Sequence, residues 1–302
     1  MDENILISIV IPHMNQPRFL ERCLSSLEAQ RQHDVEIIVV DNGSRELPVE
    51  VCKKHNNIKL ELEKTPGPGP ARSRGVEVAR GDVLAFIDAD CVAHPGWLAA
   101  IKRTFLENHD TRIVGGDVRI GLMDAQHPTK LEAYESVFAY RQKEYIEKMH
   151  FSGTGNLAMR RAAYQHVGAF AGIGTAEDRD WGRRAHVLNE TIFYDPNMIV
   201  YHPARKSYDE LKHKWNHHIA HDFNTDACGA VGRLKWLART LAVAASAIVD
   251  IRKTLTSNRL GGAKMRFDAS VILFQIRIYR ALYMARLLFS KPGSVNPTWN
   301  AN

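Results

Sequence analysis

The chain has 302 residues, 45% hydrophobic and 25% charged, the composition of an ordinary soluble protein with room for one large domain or a domain with an appendage. Its formal net charge of +6 is uneven: residues 201–302 hold 16 Lys/Arg against 6 Asp/Glu, and the body before them is mildly acidic. A basic last third suits an anionic membrane surface or an anionic substrate. Zinc-finger spacing and RNA-binding signatures are missing, which argues against nucleic acid.

The four cysteines, Cys23, Cys52, Cys91 and Cys228, show no metal-site spacing and read as free thiols of a reducing, cytoplasmic compartment. The acidic start, MDEN, carries no cleavable signal pattern, so the N-terminus is read as leading into a first strand.

That strand is Ile5–Ile11, apolar except for Ser8, as in a parallel sheet covered on both faces. Pro12 is expected to end it and Pro17 to open a helix, where a missing N–H costs nothing. Phe19, Leu20, Cys23, Leu24 and Leu27 then recur on one helix face. A second strand, Glu36–Val40, closes in the turn Asp41-Asn-Gly-Ser44. A short helix over 46–55, a strand over Ile58–Leu62 and a punctuated loop, Thr65–Gly75, entering a helix near Ala71 follow. Next come a strand at Val83–Ile87, a helix over Pro95–Leu106 and a strand at Arg112–Ile120. This alternation predicts an α/β fold with a mostly parallel central sheet flanked by helices, whose strand carboxyl ends form the ligand crevice.

Further on, Tyr134–Met149 reads as one helix. FSGTGNLAMRR (Phe151–Arg161) reads as a glycine-rich loop leading into a helix, and GIGTAEDRDWGRR (Gly172–Arg184) as a second loop and helix. TIFYDP and MIVYH (to His202) read as strands, and the rest as helical. In that basic region Leu241–Val249 is short, and Ala269–Phe289 is broken by Arg277, Arg280 and Arg286. Neither supplies the roughly 18 or more uninterrupted apolar residues of a spanning helix. Two readings stand: helices lying in a membrane interface, or helices packed on the body or on a second copy of the chain.

GDVLAFIDADC (Gly81–Cys91) presents Asp88 and Asp90 just past a buried strand. Two neighbouring carboxylates stay ionised most easily when a cation or several donors face them. Oxygen ligands on a short turn suit Mg²⁺ or Mn²⁺, which take their remaining ligands from phosphate and water.

In order along the chain, IPHMNQPRFLERCLSSL, DNGS, GPGPARSRGVEVARGDVLAFIDADC, FSGTGNLAMRR and AEDRDWGRR resemble the motifs of a family 2 inverting glycosyltransferase of the GT-A fold, over roughly residues 5–202. The resemblance implies a GT-A catalytic domain over 1–205, with a donor half to about 120 and an acceptor half beyond it, followed by a helical C-terminal region over 206–302. It implies a donor-base pocket near Pro12, Asn15 and Asp41, with Arg74 and Arg160 toward the nucleotide or diphosphate. Asp88 would approach ribose or metal, Asp90 would be the main ligand of Mn²⁺ or Mg²⁺, and His202 a further ligand. Asp178 would be the base that accepts the acceptor hydroxyl's proton. Glu177, Trp181 and Asn156 would meet the acceptor, a glycan or lipid-linked hydroxyl, with a UDP-sugar as favoured donor.

The residues also carry plainer readings. Asp41 can cap its Asn-Gly turn, Arg74 can be a helix-surface residue, His202 a structural histidine and Asp178 a helix N-cap. The Gln-x-x-Arg-Trp segment of processive polymer-making members is missing, which favours addition of one sugar. A non-catalytic nucleotide-binding scaffold of the same fold and a nucleotidyltransferase are the alternatives. The latter lacks the glycine-rich phosphate loop it would need after the first strand.

Overall fold

Every residue of strand β4 (Val83–Ile87) is buried, because strands flank it on both edges and helices cover both faces. In the computed structural model, which describes residues 5–30 and 33–291, β4 runs parallel to β1 (Ile7–His13) and antiparallel to β7 (Asn156–Arg160). The predicted start at Met1–Asn4 and the end of the helical tail beyond Lys291 lie outside the described residues. On the far side of β1 follow β2 (Val35–Asp41) and β3 (Ile58–Leu62), both parallel to their neighbours. Beyond β7 lie β6 (Ile113–Gly121), β8 (Ile192–Pro203) and the short β5 (Val92–Ala93). The order is β3-β2-β1-β4-β7-β6-β8-β5. The parallel half, with helices between its strands, is the α/β architecture the alternation predicts.

Pro12 does not end β1. His13 C=O accepts the Asn42 N–H on the β2 side, so Pro12 faces the β4 side, where pairing has already stopped at Val10. A residue without an N–H is tolerated there. β7 replaces the expected loop after the glycines, and its residues pair with both β4 and β6. TIFYDP and MIVYH are one strand, β8, whose register against β6 shifts between Gly116 and Asp117.

Helix α1 (Pro17–Glu28) opens on Pro17 and buries Leu20, Cys23, Leu24 and Leu27, the face its spacing predicts. Helices α2 (Val49–Lys53) and α3 (Pro68–Val78) connect the first strands, and α4 (Trp97–Glu107) precedes β6. The core of α3, α7 (Arg161–Val167) and α8 (Glu177–Val187) joins Val76, Ala163, Val167, Trp181 and Ala185 to Val10, Phe86 and Leu157 of the sheet. Gly75 is required here, because a Cβ at this position would lie 2.3 Å from Val10 Cγ1.

The chain divides into two units, one running to Gly121 and resuming over Arg141–Pro203, the other holding Leu122–Tyr140 and everything from Ala204. The single helix expected over Tyr134–Met149 is therefore two: α5 (Lys130–Phe138) in the second unit and α6 (Gln142–Met149) in the first. A Thr129–Glu132 capping box starts α5. Its Leu131 and Tyr134 are buried with Leu211, Ile272, Leu273 and Ile276 of α9 (Tyr208–Asp226) and α11 (Gly262–Leu287). α10 (Gly229–Thr256) completes this helical unit. Among the described residues no helix is long and apolar enough to cross a membrane.

Candidate active site at the carboxyl ends of the parallel strands

The last residues of β1 and β2, His13 and Asp41, are register partners. Both are buried, with His13 Nδ1 3.0 Å from Asp41 Oδ2. His13 Nε2 accepts the Gln16 N–H at 3.2 Å, which puts the ring proton on Nδ1, facing Asp41. Asp41 Oδ1 accepts the N–H groups of Gly43 and Ser44. Burial opposes the charge on Asp41, but its bonds to Ser44 and His13 outweigh burial and hold the carboxyl below its usual range. Asn15 closes the same corner: its N–H donates to Ser44 Oγ and its Oδ1 accepts the Arg45 N–H. Pro12, Asn15 and Asp41 are thus gathered at adjacent strand ends. His13, which sequence reasoning missed, stands one residue after Pro12 and opposite the acid of DNGS.

Past β4, a turn closed by the Cys91 N–H on Asp88 C=O carries the two acids. They go separate ways. Asp88 Oδ1 accepts Arg72 Nη2 at 2.6 Å, and Arg72 Nη1 reaches Glu177 Oε1 at 3.0 Å. Arg72 is 3% exposed. Burial opposes its charge, but the charges of Asp88 and Glu177 hold its pKa above the ordinary arginine value. Gly155 packs on the other side of Asp88, where a Cβ would fall 2.5 Å from Asp88 Oδ2.

Asp90 Oδ2 instead faces His202 Nε2 at 3.2 Å, and His202 Nδ1 donates to Pro203 C=O at 2.7 Å. Burial opposes both charges, but the pair's mutual attraction and hydrogen bond lower Asp90 and raise His202 from their ordinary values. With Nδ1–H committed to Pro203, a bond from Nε2 to Asp90 requires a second ring proton. A divalent cation can take the place of that proton: a carboxylate oxygen and an imidazole nitrogen are a donor set suited to Mn²⁺ or Mg²⁺, with phosphate oxygens completing the shell. Among the described residues no group of three or more His, Cys, Asp or Glu side chains gathers into a metal cage; Asp88 is engaged by Arg72.

Glu177 and Asp178 are the first two residues of α8, where acids complement the helix N-terminus. Asp178 is half-buried, and among the described residues its Oδ1 accepts the neighbouring Arg179 N–H at 2.7 Å. Burial, with Glu177 beside it, raises its pKa against the pull of the Arg179 N–H and of Arg72.

Four residues singled out in the sequence stand elsewhere. Arg74 lies on the opposite face of α3 from Arg72 and pairs with Glu61 and Glu77. Arg160 donates to the carbonyls of Thr111 and Phe105 and stacks on the Phe105 ring. Asn156 is fully buried, its amide spent on Asp117 C=O, Met198 C=O and Trp97 Nε1. Trp181 is 1% exposed, bonded to Gly168 C=O and packed on Phe170, so it has no free face for a sugar. Arg72 was legible: Ala71, Arg72, Gly75 and Val76 share one helix face, and an arginine among small and apolar residues is a buried one.

The sequence profile of glycosyl transferase family 2 matches residues 8–168, more than half of the chain. The chain belongs to that family and is a glycosyltransferase. Among curated proteins it is 29% identical over 214 residues to the glycosyltransferase AglE of Haloferax volcanii, an alignment covering 68% of this chain and 69% of that protein. It is 31% identical over 173 residues to an uncharacterized glycosyltransferase of Nostoc, of which it covers about half, 52%. Among solved structures, the mannosyltransferase PcManGT of Pyrobaculum calidifontis, in complex with GDP-Man and Mn²⁺, aligns with a TM-score of 0.54 at 15% identity, over 93% of this chain and 73% of that one. Glucosyl-3-phosphoglycerate synthase of Mycobacterium tuberculosis, with Mn²⁺, UDP and glucosyl-3-phosphoglycerate, aligns at 0.53 and 21% identity, over 72% and 79% of the two chains. At such identities the likeness carries the fold, which is GT-A. Glu177, Asp178 and His202 lie beyond the family match, so their membership of the site rests on geometry.

Proposed function

We propose that this glycosyltransferase moves one sugar, with inversion, from a nucleoside diphosphate donor to a hydroxyl of a glycan or lipid-linked acceptor. A UDP-sugar is the favoured donor, supported by the UDP complex of the Mycobacterium tuberculosis neighbour, with the base pocket beside the buried His13–Asp41 corner. The observation that carries the reading is the buried Arg72 guanidinium held by both Asp88 and Glu177. It fastens the acid turn after β4 to the start of α8, which supports a reading in which Asp88 and Glu177 serve one site. The neighbours' complexes with Mn²⁺ and UDP or GDP-Man support a metal and a nucleotide donor.

Asp90 and His202, with Asp88 next to them, would hold a Mn²⁺ or Mg²⁺ ion, which when bound neutralises charge on the departing diphosphate. The acceptor oxygen attacks the anomeric carbon from the face opposite the diphosphate. Its bond to carbon forms as the carbon–oxygen bond to phosphate breaks, the electron pair leaves on phosphate, and the hydroxyl proton passes to Asp178. The raised pKa of Asp178, caused by burial beside Glu177, makes it a stronger base than an ordinary carboxylate. Pro12 and Asn15 border the base pocket, and Glu177 orders the acceptor loop through Arg72. The catalytic domain to about residue 205, followed by a helical region, and a station on the cytoplasmic face of an anionic membrane belong to the same proposal.

The test is a screen of nucleotide sugars for slow hydrolysis with Mn²⁺, which needs no acceptor. One donor hydrolysed by the wild type and not by Asp178→Asn is the expected result. No donor hydrolysed, and no nucleotide bound, would remove the proposal.

A further inference from the structure

The helical unit leaves an apolar face uncovered. On α10, Leu234, Leu241, Ile248 and Leu255 recur every seven residues and are 68%, 64%, 70% and 55% exposed. On α11, Phe267 and Leu282 are 68% and 67% exposed. Both helices bury their opposite sides, α10 through Trp236, Thr240 and Ala247 and α11 through Ile272, Leu273 and Ile276. A water-facing helix surface is ordinarily polar, so this face is built for an apolar neighbour. Where α10 ends and α11 begins, a groove of about 610 Å³ opens among Ile251, Leu255, Phe267, Val271 and Phe274.

The charges on the same helices say which neighbour. α10 and α11 contain two acids, Asp250 and Asp268, both buried and both ion-paired. The exposed ionised groups on these helices are therefore basic. Arg252 stands on the leucine stripe, four residues after Ile248 and three before Leu255; Lys235 adjoins Leu234, and Arg286 is exposed on α11. A second copy would bring the same uncompensated cations together. A bilayer of anionic lipids offers hydrocarbon to the stripe and phosphate to its cations. Neither helix can span a membrane, so the pair lies along the surface.

We infer that the outer face of α10 and α11 is a docking surface for an anionic lipid bilayer, with the leucine stripe at the acyl boundary, Lys235, Arg252 and Arg286 at the headgroups, and the groove open to an acyl chain. The surface gives the membrane element of the proposed function a structural basis and does not depend on the sugar chemistry.

The test is flotation of the full chain with vesicles of phosphatidylcholine and phosphatidylglycerol in equal parts, against phosphatidylcholine alone. The wild type floats with the anionic vesicles, less so as salt is raised. Leu241→Glu/Ile248→Glu and Lys235→Glu/Arg252→Glu each weaken that binding by about tenfold or more. These side chains are exposed, so both variants melt like the wild type and keep its donor hydrolysis in the absence of vesicles. Wild-type vesicle binding by either variant, or no flotation of the wild type, overturns the inference while leaving the transferase reading intact. A wild-type dimer that Leu241→Glu/Ile248→Glu splits, with flotation unchanged, assigns the face to a second copy and overturns it as well.

Discussion

Arg72 Nη2 lies 2.6 Å from Asp88 Oδ1, and the guanidinium that makes this contact is almost wholly buried. Its other arm holds Glu177. A planar fork holds the two carboxylates on separate nitrogens in fixed geometry, whereas an ammonium must serve both from one nitrogen.

Arg72→Ala should therefore damage both fold and catalysis. Removing one partner of a buried ionic network is destabilising by about 3–5 kcal/mol. Asp88 and Glu177 keep 35% and 21% of their side-chain exposure, which lowers the expectation to about 2–3 kcal/mol in a urea titration. Arg72→Lys should retain more stability yet lose turnover, because one acid is released. Arg74→Ala, whose partners Glu61 and Glu77 form a surface network, should change stability by less than about 1 kcal/mol. Equal effects at Arg72 and Arg74 would mean that the buried fork organises nothing.

Gly155→Ala tests the same arrangement without removing a charge. The added Cβ would sit 2.5 Å from Asp88 Oδ2, so Asp88 must shift from Arg72 or the loop must lift. The expected loss is about 1–3 kcal/mol of stability, with a fall in turnover at saturating acceptor. Wild-type kinetics in a folded variant would show that the position of Asp88 is immaterial.

Local pattern carried the parallel half of the sheet. β1, β2 and β4 are apolar runs, and a run buried on both faces announces itself. The strand Asn156–Arg160 did not, because its placement between β4 and β6 is antiparallel and non-local, and the glycines before it imitate a loop. The same blindness misassigned Asn156 and Trp181. A polar or aromatic residue beside a motif looks like a ligand group until its burial is known, and burial here depends on pairing distant in sequence. Asp90 and His202 are 112 residues apart in number and meet at 3.2 Å because β5, which begins two residues after Asp90, pairs with β8 at Tyr201. Their order along the chain was legible, and their contact was not.

Asp90→Ala and His202→Ala should each separate metal-dependent from metal-independent binding. Titrated with UDP, the wild type should bind more tightly with Mn²⁺ than with a chelator. Either variant should lose most of that difference, by about tenfold or more in apparent metal affinity. Donor affinity measured in chelator should be nearly unchanged. A full Mn²⁺ enhancement in Asp90→Ala would exclude the aspartate as a ligand.

Asp178 should reveal itself by pH. Burial and the neighbouring Glu177 raise its pKa above the ordinary carboxylate value, so at low pH it carries a proton and cannot accept another. Transfer should rise with pH as that proton leaves, and the midpoint of the rise in kcat/KM should lie above the usual carboxylate range. Asp178→Asn should bind donor and metal as the wild type does, lose transfer by about 10²–10⁴-fold, and lose the acid limb of any residual rate. Because Asp178 Oδ1 also accepts the Arg179 N–H at the start of α8, a role confined to the helix would lower the melting temperature and leave the pH profile of the remaining activity unchanged. That outcome would remove Asp178 from the chemistry and leave Glu177, half-buried on the same helix turn, as the next carboxylate to substitute.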